Sequence, residues 1–212
     1  SLIKRFMKRQ KAVSRNNQED KKPFAGRIGR INGDLTHVDI EVPESSYIQS
    51  LTVRRGKAKI VVGENVAWRG HIIVGNGEIY IGDGTIARGV DIITANSKVC
   101  VGKECLLSWD VKIMATDSHP IYDLNSGERI NMDEDIIIGD RVWVSRNVSI
   151  MKGVEIGNDS VIALGSIVTK SAPKNVLIAG IPAKVRRENI FWSNKTLSKK
   201  EIEEIISQKH TS

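Results

Sequence analysis

Between residues 138 and 173 every sixth position carries a branched aliphatic side chain. Ile138, Val144, Ile150, Ile156, Ile162 and Val168 hold that place, and the fifth position of each unit is Val142, Val148, Val154, Ser160, Ser166 or Ala172. Six successive units in one phase mark an internal repeat. The same period runs upstream through Val62, Trp68 and Val74, then Ile81, Ala87 and Ile93, then Val101, Leu107 and Ile113. The steps from Val74 to Ile81 and from Ile93 to Val101 are longer than six and read as small corner insertions. The gap between Ile113 and Ile138 is wide enough for a real loop.

A unit of this length is one short strand and a turn. Three units close a triangular coil of about 18 residues, whose first-position aliphatics point inward and stack on those of the next coil. The fifth position falls near a corner, where a small side chain or Val fits. Gly63, Gly75, Gly82, Gly102, Gly139 and Gly157 follow an inward aliphatic, where a residue without Cβ suits a tight path. The expected class is therefore all-β, a parallel β-helix. A β-propeller would recur at about 40 residues or more, which this chain does not do.

The pattern divides the chain. Residues 1–25 form a polar, basic arm. Residues 26–61 contain alternating segments that read as strands leading into the helix. The helix itself is expected over 62–173, interrupted by a loop at 119–137 that is rich in turn formers. Residues 174–212 lose the repeat. Within them Ser198-Lys199-Lys200-Glu201 has the form of a capping box before Ile202, Ile205 and Ile206, which predicts a short amphipathic helix over 199–209.

Charge changes the picture at one end only. The formal net charge is +7 in 212 residues, and residues 1–22 hold eight basic against two acidic side chains. The repeat region is thus nearly neutral, which argues against a nucleic-acid binder. The arm would attract polyanions and could give weak association with a membrane surface, and Arg27, Arg30, Arg54 and Arg55 add to it. The two cysteines, Cys100 and Cys105, lack zinc-type spacing, so neither a metal site nor a disulfide framework is expected. With no long apolar run and no signal-peptide core, a cytoplasmic, reduced protein is expected.

The sharpest candidate chemistry is Asp117-Ser118-His119-Pro120-Ile121-Tyr122-Asp123, at the point where the coil gives way to the loop. It is followed by Asn125-Ser126-Gly127-Glu128, by Ile138-Gly139-Asp140-Arg141-Val142-Trp143, by Gly165-Ser166-Ile167-Val168-Thr169-Lys170 and by Ala179-Gly180-Ile181-Pro182-Ala183-Lys184-Val185. Together these resemble the hexapeptide-repeat acyltransferases, in their sugar and capsule O-acetyltransferase branch, over about residues 62–187.

The resemblance implies a left-handed parallel β-helix, acetyl-CoA as co-substrate and no metal. It implies His119 as catalytic base and Trp143 close to the reacting groups. For the cofactor it points to Ser145, Arg146, Ala163 and Gly165 along the pantetheine, and to Lys170, Pro182, Lys184, Arg186 and Arg187 near the adenosine phosphates. Asp117, Tyr122 and Asp123 are candidates for acceptor contact, although a turn-forming role suits each Asp. A homotrimer with sites between subunits is also implied, and the outward Trp109 and Trp143 are compatible with it. The acceptor suggested is an anionic capsular polysaccharide such as polysialic acid.

The bland alternative for His119 is a loop histidine with a satisfied hydrogen bond. His37, His71 and His210 lie outside any such motif. A small-sugar or sugar-nucleotide acetyltransferase and a non-catalytic β-helix scaffold are the competing functions. A relative of the γ-carbonic anhydrases would need three clustered histidines, which this sequence does not offer.

Overall fold

The computed structural model describes residues 26–54 and 56–210. The basic arm of residues 1–25, and Arg55, lie outside the described residues. The chain forms a parallel β-solenoid. Every pairing between strands is parallel except that of β18 (Leu177–Gly180) with β19 (Ala183–Arg187), a closing hairpin.

Three ladders of strands make the walls. The first stacks β7 (Ile86–Ala87), β10 (Leu106–Leu107), β13 (Trp143–Val144), β16 (Val161–Ile162) and β18. The second stacks β8 (Val90–Thr94), β11 (Val111–Met114), β14 (Ser149–Met151) and β17 (Ile167–Val168). The third stacks β2 (Val38–Glu41), β4 (Ala58–Val62), β6 (Gly77–Ile81), β9 (Lys98–Val101), β12 (Ile136–Ile138) and β15 (Glu155–Ile156). In the N-terminal coils β5 (Ala67–Val74) runs through both the first and second walls, with β3 (Tyr47–Val53) and β1 (Arg27–Gly33) stacked beyond it.

The repeat dictates this arrangement because each rung buries its aliphatic only against the neighbouring rungs. Ile81, Val101, Ile138 and Ile156 are almost fully buried in one column, and Leu107, Val144 and Ile162 in another. Each such side chain contributes about 1.5–3 kcal/mol by leaving water. The corners are tight. A Cβ on Gly82 would stand 2.6 Å from the Gly102 backbone, and one on Gly102 would stand 2.4 Å from that of Gly139. The buried corner hydroxyls are satisfied by nearby carbonyls: Thr85 donates to Gly102 of the next coil at 2.7 Å and Ser166 to Ala163 in its own corner at 2.8 Å.

Three details differ from the sequence reading. Residues 26–61 do not merely lead into the helix, because β1 to β4 are parallel rungs of it. At the other end β18 pairs in parallel with β16, so the stack continues past residue 173. The inward residue of β8 is Ile92, paired with Ile72 and Ile113, whereas Ile93 is half-buried. The corner before Ile92 is one residue shorter than the corner before Ile113, and a strict count of six slips there.

Helix α1 (Lys199–His210) begins with the expected capping box. The Ser198 backbone N–H donates to Glu201 at 2.8 Å, and the Glu201 N–H returns to the Ser198 hydroxyl at 3.4 Å. That backbone N–H, with Lys195 nearby, lowers the Glu201 carboxyl to about 2. Among the described residues no helix is long and apolar enough to cross a membrane.

Shortening an inward aliphatic should be costly. Ile113→Ala or Ile150→Ala is expected to lower stability by about 2–5 kcal/mol in chemical denaturation. Leu124→Ala, at a fully exposed loop position, should stay within about 0.5 kcal/mol.

Candidate active site

The loop leaves the stack between β11 and β12, at the corner where the second wall meets the third. Its base is tied down by one side chain, Asn131, which is 8% exposed. The Asn131 amide N–H group donates to the His119 carbonyl and to Asp117 Oδ2, each at 2.9 Å. Its Oδ1 accepts from the Ile121 N–H at 2.6 Å. The backbone on both sides of His119 is thereby fixed, and the His119 N–H is closed onto the Asp117 carbonyl at 2.8 Å. Ser118 takes a φ of +64°, and its N–H is held by the Thr116 hydroxyl at 3.1 Å.

Asp117 also meets the Lys152 ammonium of the next coil. The hydrogen bond from Lys152, with a second from Asn131, holds its carboxyl below the usual carboxylate range. This charge pair clamps the loop base to the turn after β14. A depressed carboxyl pKa stabilises the fold above the ordinary carboxylate range, and the contribution is lost as pH falls through the lowered value. The clamp is therefore fully formed at neutral pH.

The His119 side chain is exposed and makes no hydrogen bond to any described residue. The loop hairpin beyond it is built by Asp123, whose Oδ1 accepts from the Asn125 and Ser126 N–H groups, both at 2.8 Å. Asp123 thus serves as the turn former, while Tyr122 is 58% exposed and bridges to Arg129 through its backbone. Ile121, Leu124, Ile130 and Met132 leave this hairpin unusually apolar for an exposed loop.

The other candidates gather elsewhere. Trp143 lies on the first wall, and its ring is 6.0 Å from that of Trp192 with a 45° tilt. The Trp192 indole N–H donates to the Arg141 carbonyl at 2.6 Å, which fixes the pair. Ser145, Arg146, Ala163 and Gly165 line the corner between the first and second walls, in successive coils. Gly165, at φ +69°, has nothing within 4 Å of the place where a Cβ would stand. Lys184, Arg186 and Arg187 are carried by β19, Pro182 by the turn before it, and Lys170 is exposed just after β17.

No hydrogen bond, ion pair or ring contact among the described residues joins the His119 loop to the Trp143 wall. Sequence reasoning missed Asn131, Lys152 and Trp192. Asn131 is one of several loop residues able to form turns, and nothing in its spacing marks it. Cys100 and Cys105 are buried, and desolvation pushes both thiols up to about 12, so neither is a nucleophile at neutral pH.

Residues 135–170 match the bacterial transferase hexapeptide family (six repeats). The chain is 39% identical over 142 residues to the polysialic acid O-acetyltransferase of Escherichia coli O1:K1 / APEC, covering 66% of this chain and 44% of that protein. It is 44% identical over 112 residues to the polysialic acid O-acetyltransferase of Neisseria meningitidis, covering 52% of each. The chain thus spans about half the length of these curated relatives. Among solved structures, that of the polySia-specific acetyltransferase NeuO superposes with a TM-score of 0.69 at 33% identity, over 87% of this chain and 88% of that one. A fold, a repeat and a covering likeness of this extent agree, and the chain belongs to the bacterial hexapeptide-repeat transferase family.

Proposed function

We propose that this chain is an O-acetyltransferase that moves an acetyl group from acetyl-CoA to a hydroxyl of an anionic capsular polysaccharide of the polysialic acid type. The observation that carries the reading is the His119 imidazole, free and exposed on a backbone that Asn131 holds rigidly. The names of the two curated relatives support the acceptor class.

Acetyl-CoA brings a carbonyl already activated as a thioester. The chain has to make the hydroxyl nucleophilic. A neutral imidazole accepts the hydroxyl proton as the oxygen attacks the carbonyl carbon. Collapse of the tetrahedral oxyanion breaks the C–S bond, and the imidazolium returns the proton to the leaving thiolate. No metal and no acyl-enzyme are required. Base catalysis of this kind contributes about 10²–10⁴-fold, and positioning the reactants supplies much of the rest. The Trp143 indole N–H or a backbone N–H would serve the oxyanion. The open corner at Gly165, with Ser145 and Ala163, leaves room for a pantetheine arm, and the cations of β19 suit its phosphates.

His119 leaves the stack where the second and third walls meet and Trp143 lies on the first wall, and no contact among the described residues unites them. A second copy would. The apolar loop hairpin and the exposed Ile86 and Leu164 on and beside the first wall are surfaces that self-association would cover. We therefore assign the working form as a homotrimer with its sites between copies.

Coenzyme A release should occur with polysialic acid and fall by at least about 100-fold in His119→Ala. Release with maltose or a galactoside alone would discard the polymer acceptor, and full activity in His119→Ala would remove it as the base. Asn131→Ala should lower kcat about tenfold or more with little change in the KM for acetyl-CoA, because it loosens only the base. An equal rise in that KM would show a general loss of structure instead.

A further inference from the structure

The corner between the first and second walls carries cations that the coils leave unpaired. Register places them in a column. Trp68 pairs with Ala87, Ala87 with Leu107 and Leu107 with Val144, so the next residues, Arg69, Arg88, Ser108 and Ser145, stack in successive coils. One step further round the corner are Trp109 and Arg146, joined by the Asn147 N–H to the Trp109 carbonyl at 3.0 Å.

Arg88 reaches Trp109 from the coil before, its guanidinium carbon 5.5 Å from the ring centroid. Arg146 reaches the same ring from the coil after, at 5.1 Å. The indole packs beside Gly89, where a Cβ would lie in ordinary contact, 3.4 Å from Trp109 Cδ1. Trp109 remains 45% exposed, and Arg69, Arg88 and Arg146 are all exposed.

Several cations elsewhere in the stack are matched by acids on neighbouring coils. Lys59 meets Asp39, Lys98 meets Glu78, Lys103 meets Asp83, Lys112 meets Asp91 and Arg141 meets Asp159. Among the described residues, no carboxylate is in ion-pair contact with Arg69, Arg88 or Arg146. Two guanidinium groups gathered on one ring repel each other, and only an anion turns that repulsion into attraction. A guanidinium also presents paired N–H donors that match a carboxylate. The ring between them offers a flat face to the apolar side of a sugar.

We infer that Arg69, Arg88 and Arg146, with Trp109, form an anion-binding ridge that holds an extended, carboxylate-bearing polysaccharide strand along the stack axis. From Arg69 to Arg146 the ridge crosses three coil spacings, about 14 Å at the usual strand separation, which spans several charged sugars rather than one. The same corner continues into Ser145, Ala163 and Gly165, so a strand on the ridge leads toward the donor path. The inference rests on the proposed acetyl transfer for its purpose, but binding is measured without a donor.

The test is the anisotropy of fluorescently labelled oligosialic acids of graded length, titrated with the full chain in the absence of acetyl-CoA. Arg69→Gln and Arg88→Gln should each weaken binding about tenfold and flatten its dependence on oligomer length. Trp109→Ala should weaken it as well, with Trp109→Phe restoring part of the affinity. Carboxyl-reduced oligomers should bind poorly to every form, and Lys200→Gln in α1 should behave as wild type. Unchanged affinity in both arginine variants overturns the ridge while leaving the transfer reaction intact. A rise in the KM for acetyl-CoA, with oligomer binding preserved, overturns it by giving these cations to the donor's phosphates. A wild-type chain that binds no oligomer overturns both the ridge and the proposed acceptor.

Discussion

A rung of six residues cannot bury its own aliphatic side chain; only the coils on either side, at about 4.8 Å, can do it. Everything else in the molecule follows from that dependence. Inward positions must stay in register from coil to coil, so Ile79 pairs with Ile60 and Val99, and Ile150 with Ile113 and Val168. Outward positions are free, and corners accept insertions provided the next rung returns to register. The loop of residues 115–135 is the largest such insertion, and β12 rejoins the ladder beside β9 as if it were absent.

This division of labour explains where chemistry can sit. The interior is fully committed to packing and holds no reactive group; the two buried thiols are made inert by the same desolvation that stabilises the core. Reactive side chains are confined to the corners and the outer walls. A corner loop carries His119 away from the stack, and Asn131 replaces the missing register through two hydrogen bonds to the backbone and one to the Asp117 carboxylate. The outer wall displays Trp143 against Trp192, and the adjoining corner displays Arg88 and Arg146 against Trp109. The chain thus carries His119, the proposed base, on one side and the proposed binding surfaces on another.

The repeat made the walls legible from the sequence, because a period of six is long enough to outlast single exceptions. It failed where spacing varies. Ile93 in place of Ile92 was a slip at one short corner, and the rungs of residues 26–61 escaped notice because β3 runs through a corner without a turn. At the site, His119 stood out by its junction with Pro120 and by family likeness. Asn131 did not, since its role depends on how the loop folds back over twelve residues. The meeting of Trp109 with Arg146 was hidden for a related reason: they are neighbours only once the loop between them is discounted. Trp192 lies beyond the repeat, where spacing says nothing.

The central claim is that each site takes its base from one copy and its Trp143 surface from another. It is tested by co-expressing His119→Ala and Trp143→Ala chains with different tags and isolating the mixed assemblies. Each variant alone should be nearly inactive. Every mixed trimer, whichever variant supplies two chains, places an intact His119 beside an intact Trp143 at one of its three sites, so roughly a third of wild-type turnover should return. Mixed assemblies that stay as inactive as either parent would contradict the account and put both residues in the service of a single chain.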